Sequence, residues 1–144
     1  MTRTGVFLAF ALGWPLLATG AWAAPLTRDL GDGLTYVRIR ELPSDLPGGP
    51  AAPGQALILD LRYLAPGRDA AAALLAWAEF RASARSPVFL LANRVTGTEL
   101  QAVLRRVSRG KGCVVIGVPA PGFEPQLAAK SGPEDEREAY DALG

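Results

Sequence analysis

The sequence predicts an α/β domain built on a mainly parallel sheet. Three short, almost uninterrupted apolar runs occur along the chain, and such runs are typical of strands that are covered on both faces. Between one run and the next lies a segment with the apolar spacing of a helix. The connections are short, as in the right-handed crossovers that join neighbouring parallel strands.

Four strands are predicted. Leu34 to Arg40 alternates in side-chain character with the period of a half-buried strand. The three buried strands are predicted at Ala56 to Leu61, Val88 to Ala92 and Cys113 to Val118. Residues 42–55 are rich in proline and glycine and cannot hold a helix, so we predict a long loop there.

Two helices are predicted between the buried strands. The first can be capped by Asp69. Its apolar stripe is expected to face the core and contains Ala70, Ala73, Leu74, Trp77 and Phe80. The second begins near Thr98, and one of its faces is apolar through Leu100, Val103, Leu104 and Val107. Two capping boxes fit its first turn, Thr96 with Glu99 and Thr98 with Gln101.

The two ends of the chain have a different character from the middle. Residues 1–23 contain a basic residue, an apolar stretch and small residues before a cleavage position, which is the pattern of a secretory signal peptide. We therefore expect an exported protein, periplasmic or secreted, without membrane attachment after cleavage. Residues 24–122 would form the α/β domain, and residues 123–144 an acidic tail that is a short solvated helix or a loose segment.

Composition excludes several kinds of function. The chain has no histidine, which removes every catalytic triad that depends on one and the commonest zinc ligand. We expect no metal and no cofactor. With 15 basic and 14 acidic residues there is no electrostatic case for binding nucleic acid. The single cysteine, Cys113, lies in an apolar run and is predicted to be a buried small side chain.

The turn before Thr98 has a structural and a catalytic interpretation. In the first, the hydroxyl groups cap the helix. In the second, a hydroxyl is a nucleophile, and in the absence of histidine its base would be a lysine. The chain has only Lys111 and Lys130. Lys111 follows the far end of the helix, roughly 18 Å from Thr98, so Lys130 is the remaining candidate.

Two charged groups elsewhere are interpreted structurally. Asp60 and Arg62 are two residues apart on a strand, face the same way and are predicted to form a local ion pair. The basic residues near the end of the second helix are predicted to be solvated, with an acidic partner as the alternative; they are Arg105, Arg106, Arg109 and Lys111.

Four stretches resemble the core of the tail-specific, or C-terminal processing, serine proteases: LTYVRIREL, ALILDLRYLAPG, VFLLANRVTGTELQAVL and GCVVIGVPAPG. The resemblance covers Leu34 to Gly122. It implies a crotonase/Clp protease-like spiral of β-β-α units with a mainly parallel sheet. It also implies that Thr98 or its neighbour occupies the nucleophile position, and that the loop from Tyr63 to Gly67, with Gly97, occupies the oxyanion and peptide-binding position.

The chain departs from that family where catalysis is concerned. Tyr63 and Leu64 replace small and polar residues, and the turn after the last predicted strand, VPAPGFEP, lacks the family's lysine. We therefore predict a degenerate member without peptidase activity. It would bind an extended peptide by strand addition in a groove between the YLAPG loop and the start of the Thr98 helix.

Two alternatives stay open from the sequence. One is a weak serine-type peptidase that uses Thr98 with Lys130 or with a group from another subunit. The other is an assembly or interaction subunit that uses an exposed edge strand and the acidic tail. The expected partner is a peptide or protein in each case, and a homo-oligomer is compatible with all of them.

Overall fold

The computed structural model describes residues 24–49, 52–82 and 86–143, and the predicted signal peptide lies outside the described residues. The α/β class is confirmed, because a single sheet is combined with helices along this part of the chain. The elements in chain order are β1 (Leu26–Asp29), β2 (Leu34–Arg38), β3 (Ala56–Asp60), α1 (Arg68–Ala82), β4 (Val88–Ala92), α2 (Thr98–Val107), β5 (Cys113–Gly117), β6 (Leu127–Ala128) and α3 (Pro133–Ala142).

The strands lie in the sheet in the same order as in the chain, from β1 at one edge to β6 at the other. β1 is antiparallel to β2, and the strands from β2 to β6 are all parallel to their neighbours. The mainly parallel sheet is therefore confirmed. All five carboxyl ends of the parallel strands meet at one edge of the sheet, which is the edge where α/β sheets commonly bind their ligands.

The first face of the sheet holds the apolar core. Side chains at alternate positions of the central strands, such as Leu59, Leu90 and Val115, point to this face, where α1 and α2 pack against the sheet and against each other. Leu74 of α1 and Leu104 of α2 are fully buried against it. Each such leucine gains about 1.5–3 kcal/mol from burial, so this face is held mainly by apolar contact.

The second face is covered by α3 beside β2 and β3. Tyr36 and Arg38 of β2 are buried there, and Arg38 donates to the backbone oxygen of Tyr140 on α3. The predicted half-buried character of this strand is therefore wrong. The acidic segment after residue 130 folds into a helix that returns to the sheet, and this return buries the polar side of β2.

The apolar stripe of α1 differs from the predicted one. Phe80 is 61% exposed, and the buried side chains are Ala71, Leu74, Ala78 and Arg81. The buried face is thus rotated by about one residue, which places an arginine inside and a phenylalanine outside. The prediction that Asp69 caps the helix is also not met, because α1 begins at Arg68 and Asp69 lies within its first turn.

Two strands were not predicted. β1 has four residues and β6 only two, and most of their side chains are exposed. Neither therefore produces the apolar periodicity on which the other predictions depend. Both are placed by pairing with a longer neighbour. Within the described residues, no helix has the length and apolar character needed to cross a membrane.

Candidate functional site

The turn between β4 and α2 is organised by the buried side chain of Asn93. Its Oδ1 accepts hydrogen bonds from the backbone N–H groups of Val95 and Thr96, at 3.1 and 2.9 Å. The backbone N–H of Asn93 donates to Thr96 Oγ1 at 2.9 Å, and that hydroxyl lies 3.1 Å from Asn93 Oδ1. Asn93 and Thr96 thus order the turn through their own side chains, and the Thr96 hydroxyl also lies 3.4 Å from the Leu61 backbone oxygen.

Both predicted capping boxes are wrong. Gly97 is the residue at the N-cap of α2, and no side chain caps the helix there. Gln101 Nε2 donates to the Thr96 backbone oxygen at 2.8 Å. In a capping box with Thr98, the Gln101 side chain would instead accept a hydrogen bond from the Thr98 backbone N–H. Thr98 and Glu99 are exposed in the first turn. Because the Asn93 turn already orders the entry to the helix, the hydroxyl of Thr98 is not needed as a cap.

Thr98 and Lys130 both lie at the carboxyl edge of the sheet. Thr98 follows β4 and Lys130 follows β6, with β5 between them, and two strand spacings amount to about 10 Å. Both residues are exposed, and no hydrogen bond links them in the part of the chain that the structure describes. A hydroxyl activated by a base requires a hydrogen bond between the two groups. The arrangement therefore does not show a formed pair of nucleophile and base.

The Tyr63–Gly67 loop and the start of α2 are in direct contact. The Gly97 N–H donates to the Leu64 backbone oxygen at 2.9 Å. A Cβ added at Gly97 would lie 2.9 Å from Ala65 Cα, so glycine is required for this close approach. The structure thus brings two of the predicted site segments together, with the backbone donor of Gly97 already bonded inside the protein.

Tyr63 lies on the other side of this loop. Its backbone has a φ of 64°, in the left-handed region, and its ring packs edge-on against Tyr140 of α3 with 4.9 Å between the ring centroids. Gly67 is exposed just before α1. The Tyr63 side chain therefore packs against α3.

Next to Tyr63, a buried ionic network joins β2, β3 and Arg62, which lies two residues after β3. The Asp60 carboxylate is fully buried and accepts two hydrogen bonds from the Arg62 guanidinium, at 2.9 and 2.6 Å. The Tyr36 hydroxyl donates to the same carboxylate at 2.6 Å. The predicted Asp60–Arg62 ion pair is confirmed. Burial alone lowers the pKa of Arg62, but the hydrogen bonds to Asp60 and its negative charge raise that pKa above its ordinary value.

This network holds α3 on the sheet. The Arg38 guanidinium carbon lies 3.9 Å from the centre of the Tyr140 ring, and that of Arg62 lies 5.2 Å away. Arg137 on α3 lies over the Tyr63 ring at 5.1 Å. Cations over aromatic faces at these distances are attractive, by about 0.5–2 kcal/mol each. The acidic helix is therefore held by Arg38 of β2 and by Arg62 and Tyr63, which follow β3.

A groove lies between α3 and the carboxyl ends of β4 and β5. It has a volume of about 130 Å³ and a predominantly apolar lining that includes Leu91, Ile116, Val118, Ala129 and Ala139. Its polar lining residues are Ser131, Arg62, whose guanidinium is paired with Asp60, and Glu136 of α3. That residue is only 7% exposed, and its Oε1 has no hydrogen-bond partner among the described residues. A carboxylate without a donor is costly in such surroundings, so the groove offers a place for a cation or an N–H group.

The other features considered from the sequence are a metal site, the cysteine and the basic end of α2. In the described residues, no group of three or more histidine, cysteine, aspartate or glutamate side chains is arranged to hold a metal ion. Cys113 is free and buried, as predicted, and its burial raises the pKa of the thiol. The basic residues at the end of α2 are exposed, as predicted, and Arg106 forms an ion pair with Glu79 at 3.2 Å.

The burial of Glu136 could not be predicted, because nothing in an acidic segment distinguishes the one carboxylate that becomes buried. The available signal was helical spacing, since Glu136 and Tyr140 are four residues apart and share a face. Comparison of the chain with known proteins gave no match: no family model, no curated protein and no solved structure is similar to it at a significant level.

Proposed function

We propose that this protein is a non-catalytic binding domain that takes an extended peptide with a basic side chain. The basic side chain would enter the groove between α3 and the carboxyl ends of β4 and β5. The observation that carries the proposal is the buried carboxylate of Glu136, whose Oε1 has no hydrogen-bond partner among the described residues. Arg62 also lines the groove, but its positive charge is paired with Asp60. A lysine or arginine has an apolar stem, which suits the apolar side chains of the lining, and a charged end, which suits the Glu136 carboxylate.

The edge of the sheet supports an extended ligand. β6 is an edge strand of two exposed residues, and it lies beside β5, whose last residues line the groove. An edge strand presents backbone groups to which an added strand can pair. A peptide paired with β6 would lie next to Ala129, which also lines the groove.

The peptide-binding interpretation is also the one that the family resemblance suggests. The strands from β2 to β5 lie in chain order with α1 and α2 on one face, which supports the proposed crotonase/Clp protease-like spiral. In contrast to an active peptidase, the Thr98 hydroxyl has no formed contact with Lys130, and the Gly97 N–H is bonded to Leu64. These features support a degenerate relative of the tail-specific proteases that binds without cleaving.

The experiment is a fluorescence titration of the full chain with a dye-labelled blocked peptide, Ala-Val-Lys-Val-Ala, and with the same peptide in which leucine replaces lysine. We expect the lysine peptide to bind more tightly by about tenfold or more, the range of one hydrogen bond to a charged group. Glu136→Gln keeps the shape of the side chain and should abolish this preference. Glu138→Gln, at an exposed position of the same helix, is the matched control and should keep it.

The two peptides separate the outcomes. Equal affinities for both peptides in the unaltered chain, or a preference that survives in Glu136→Gln, would contradict the role of the groove. No binding of either peptide at millimolar concentration would contradict the peptide-binding function as a whole.

A further inference from the structure

A second cavity lies between residues 44–48, Arg81 near the end of α1 and the first three strands. Its volume is about 330 Å³. The lining combines apolar side chains with hydroxyl groups and includes Thr27, Thr35, Val37, Ser44, Leu46 and Leu57. It is separate from the α3 groove, and neither the peptide nor the Glu136 carboxylate is involved in it.

Arg81 contributes a buried positive charge to this cavity. The residue is only 5% exposed and lines the cavity wall. One of its terminal nitrogens donates to the Gly49 backbone oxygen at 2.9 Å, and its guanidinium carbon lies 5.3 Å from the centre of the Trp77 ring. Its Nε, however, has no hydrogen-bond partner among the described residues.

No carboxylate side chain forms an ion pair with Arg81, although Asp45 lines the same cavity. All 14 acidic residues of the chain lie in the described ranges. The ion pairs found there are Arg62–Asp60, Arg106–Glu79 and Arg137–Asp141, and Arg81 is in none of them. Burial lowers the pKa of Arg81, with no neighbouring charge to oppose the effect. Buried charges in proteins are normally paired, so Arg81 lacks the acidic partner that is usual for a buried guanidinium.

We propose that this cavity binds a small organic monocarboxylate with an apolar chain, with its carboxylate on Arg81. A carboxylate accepts hydrogen bonds from a guanidinium in the geometry that Arg favours. The hydroxyl groups of Thr35 and Ser44 offer further donors to the same oxygens, and Val37, Leu46 and Leu57 offer apolar contact to the chain.

The charges favour a monoanion over a phosphate group. A phosphate monoester carries about −1.5 to −2 charges at neutral pH, which exceeds the single positive charge of Arg81. Asp45 also lines the cavity and accepts hydrogen bonds from the backbone N–H groups of Arg40 and Glu41. A second negative charge on the ligand would meet the charge of this carboxylate.

The experiment follows the Nε–H resonance of Arg81 by NMR spectroscopy in the full chain, assigned through its disappearance in Arg81→Lys. Hexanoate is the probe, and hexanamide is the uncharged ligand of similar shape. At about 10 mM, ten times a Kd of about 1 mM, hexanoate should shift the resonance and saturate the change. Hexanamide should not. Inorganic phosphate should shift it less than hexanoate does.

Variants test the same site by affinity. Arg81→Gln should weaken hexanoate binding by about ten- to a hundredfold, the range for a lost hydrogen bond to a charged group. Arg68→Gln, at an exposed position of the same helix, is the matched control and should leave the affinity unchanged. If Arg81→Gln fails to fold, the resonance of the unaltered chain still decides the question.

The source of the carboxylate is resolved by two further ligands, blocked Ala-Leu with a free carboxyl end and the same dipeptide as an amide. A shift with the free acid only, larger than that with hexanoate, would support the site and identify a peptide end as its ligand. If neither hexanoate nor the free-acid dipeptide shifts the Arg81 resonance, or if phosphate shifts it more, the proposal is overturned.

Discussion

The two faces of the sheet are closed by different physical means. On the face of α1 and α2, fully buried leucines such as Leu59 and Leu90 meet the helices in an apolar core. On the face of α3, the buried groups include Asp60, Arg38 and Tyr36, joined by hydrogen bonds. An apolar face loses stability in proportion to the contact removed. A buried ionic face fails when one partner is removed, because the other charge is left unpaired.

The largest effect is expected from Asp60→Asn. This change removes the negative charge to which Arg62 and Tyr36 are bonded, while the shape of the side chain is kept. The free energy of unfolding should fall by about 3–5 kcal/mol, the cost of breaking a buried ion pair from one side. Urea unfolding followed by circular dichroism measures it. Asp141→Asn, in an exposed ion pair with Arg137, should leave the midpoint unchanged. A loss for Asp60→Asn below about 1 kcal/mol would contradict the distinction between the faces.

A somewhat smaller effect is expected from Leu59→Ala, one residue earlier on the same strand but on the other face. The leucine is completely buried, and its loss should cost about 3 kcal/mol through lost contact and the cavity left behind. The cost should be the same in low and in high salt, since no charge is involved. Leu127→Ala, at a 54% exposed position, is the comparison. Equal costs for these two variants would show that the core face is not close-packed.

Tyr36→Phe should cost about 2 kcal/mol at neutral pH, because the Asp60 carboxylate loses a hydroxyl donor. Burial, and then the hydrogen bond to Asp60, raise the pKa of Tyr36 above 10.0. An unfolded tyrosine ionises near pH 10, so Tyr36 contributes its full stability below that pH and loses it as the pH rises through its folded pKa. In Tyr36→Phe, the loss of stability that Tyr36 causes above about pH 10 should be absent.

Urea unfolding midpoints of the unaltered chain and Tyr36→Phe, measured between neutral pH and pH 11, separate the ionisation of Tyr36 from that of Cys113. Because the pKa of Cys113 is raised in the folded state, the free energy of unfolding of both proteins begins to fall near pH 8.5. The difference between the two proteins should therefore narrow only above about pH 10. A constant difference across the range would mean that Tyr36 ionises in the folded protein as easily as in the unfolded one.

The smallest effect is expected from Thr98→Ala. Its side chain is exposed at the first residue of α2, so the free energy of unfolding should change by less than about 0.5 kcal/mol. Incubation with an unfolded protein, followed by mass spectrometry, should show no cleavage by either the unaltered chain or the variant. Cleavage that only Thr98→Ala loses would establish Thr98 as a nucleophile. Thr96→Ala, in the same turn but buried, should lower the free energy of unfolding by more than Thr98→Ala does.

The fold class followed from short-range patterns. The apolar runs of β3, β4 and β5 and the strong periodicity of α2 leave little choice of structure for those segments. The orientation of α1 did not follow from its pattern. Arg81 is buried because the 42–55 loop offers it the Gly49 backbone oxygen, and Phe80 is displaced to the outside. Such a contact joins segments 32 residues apart and cannot be read from spacing.

The candidate site was predicted less completely than the fold. The Asp60–Arg62 pair could be predicted because both residues lie on one short stretch of backbone. The roles of Glu136 and Arg81 depend on where a helix and a loop come to rest on the sheet. The Asn93 turn replaced both predicted capping boxes, because a side-chain amide bonded to the backbone of its own turn competes with the helix cap.

The contact between Arg38 and Tyr140 joins residues 102 positions apart in the chain. The contacts of the α1 and α2 face, in contrast, are made among elements that lie close in the chain, from β2 to β5. During synthesis the apolar face can therefore assemble once Phe123, its last buried member, has emerged, while the face of α3 must wait for the last helix. Until then, the residues of β2 and β3 that α3 covers are exposed to water. Unfinished chains of this protein will therefore differ most from complete ones in the exposure of this face.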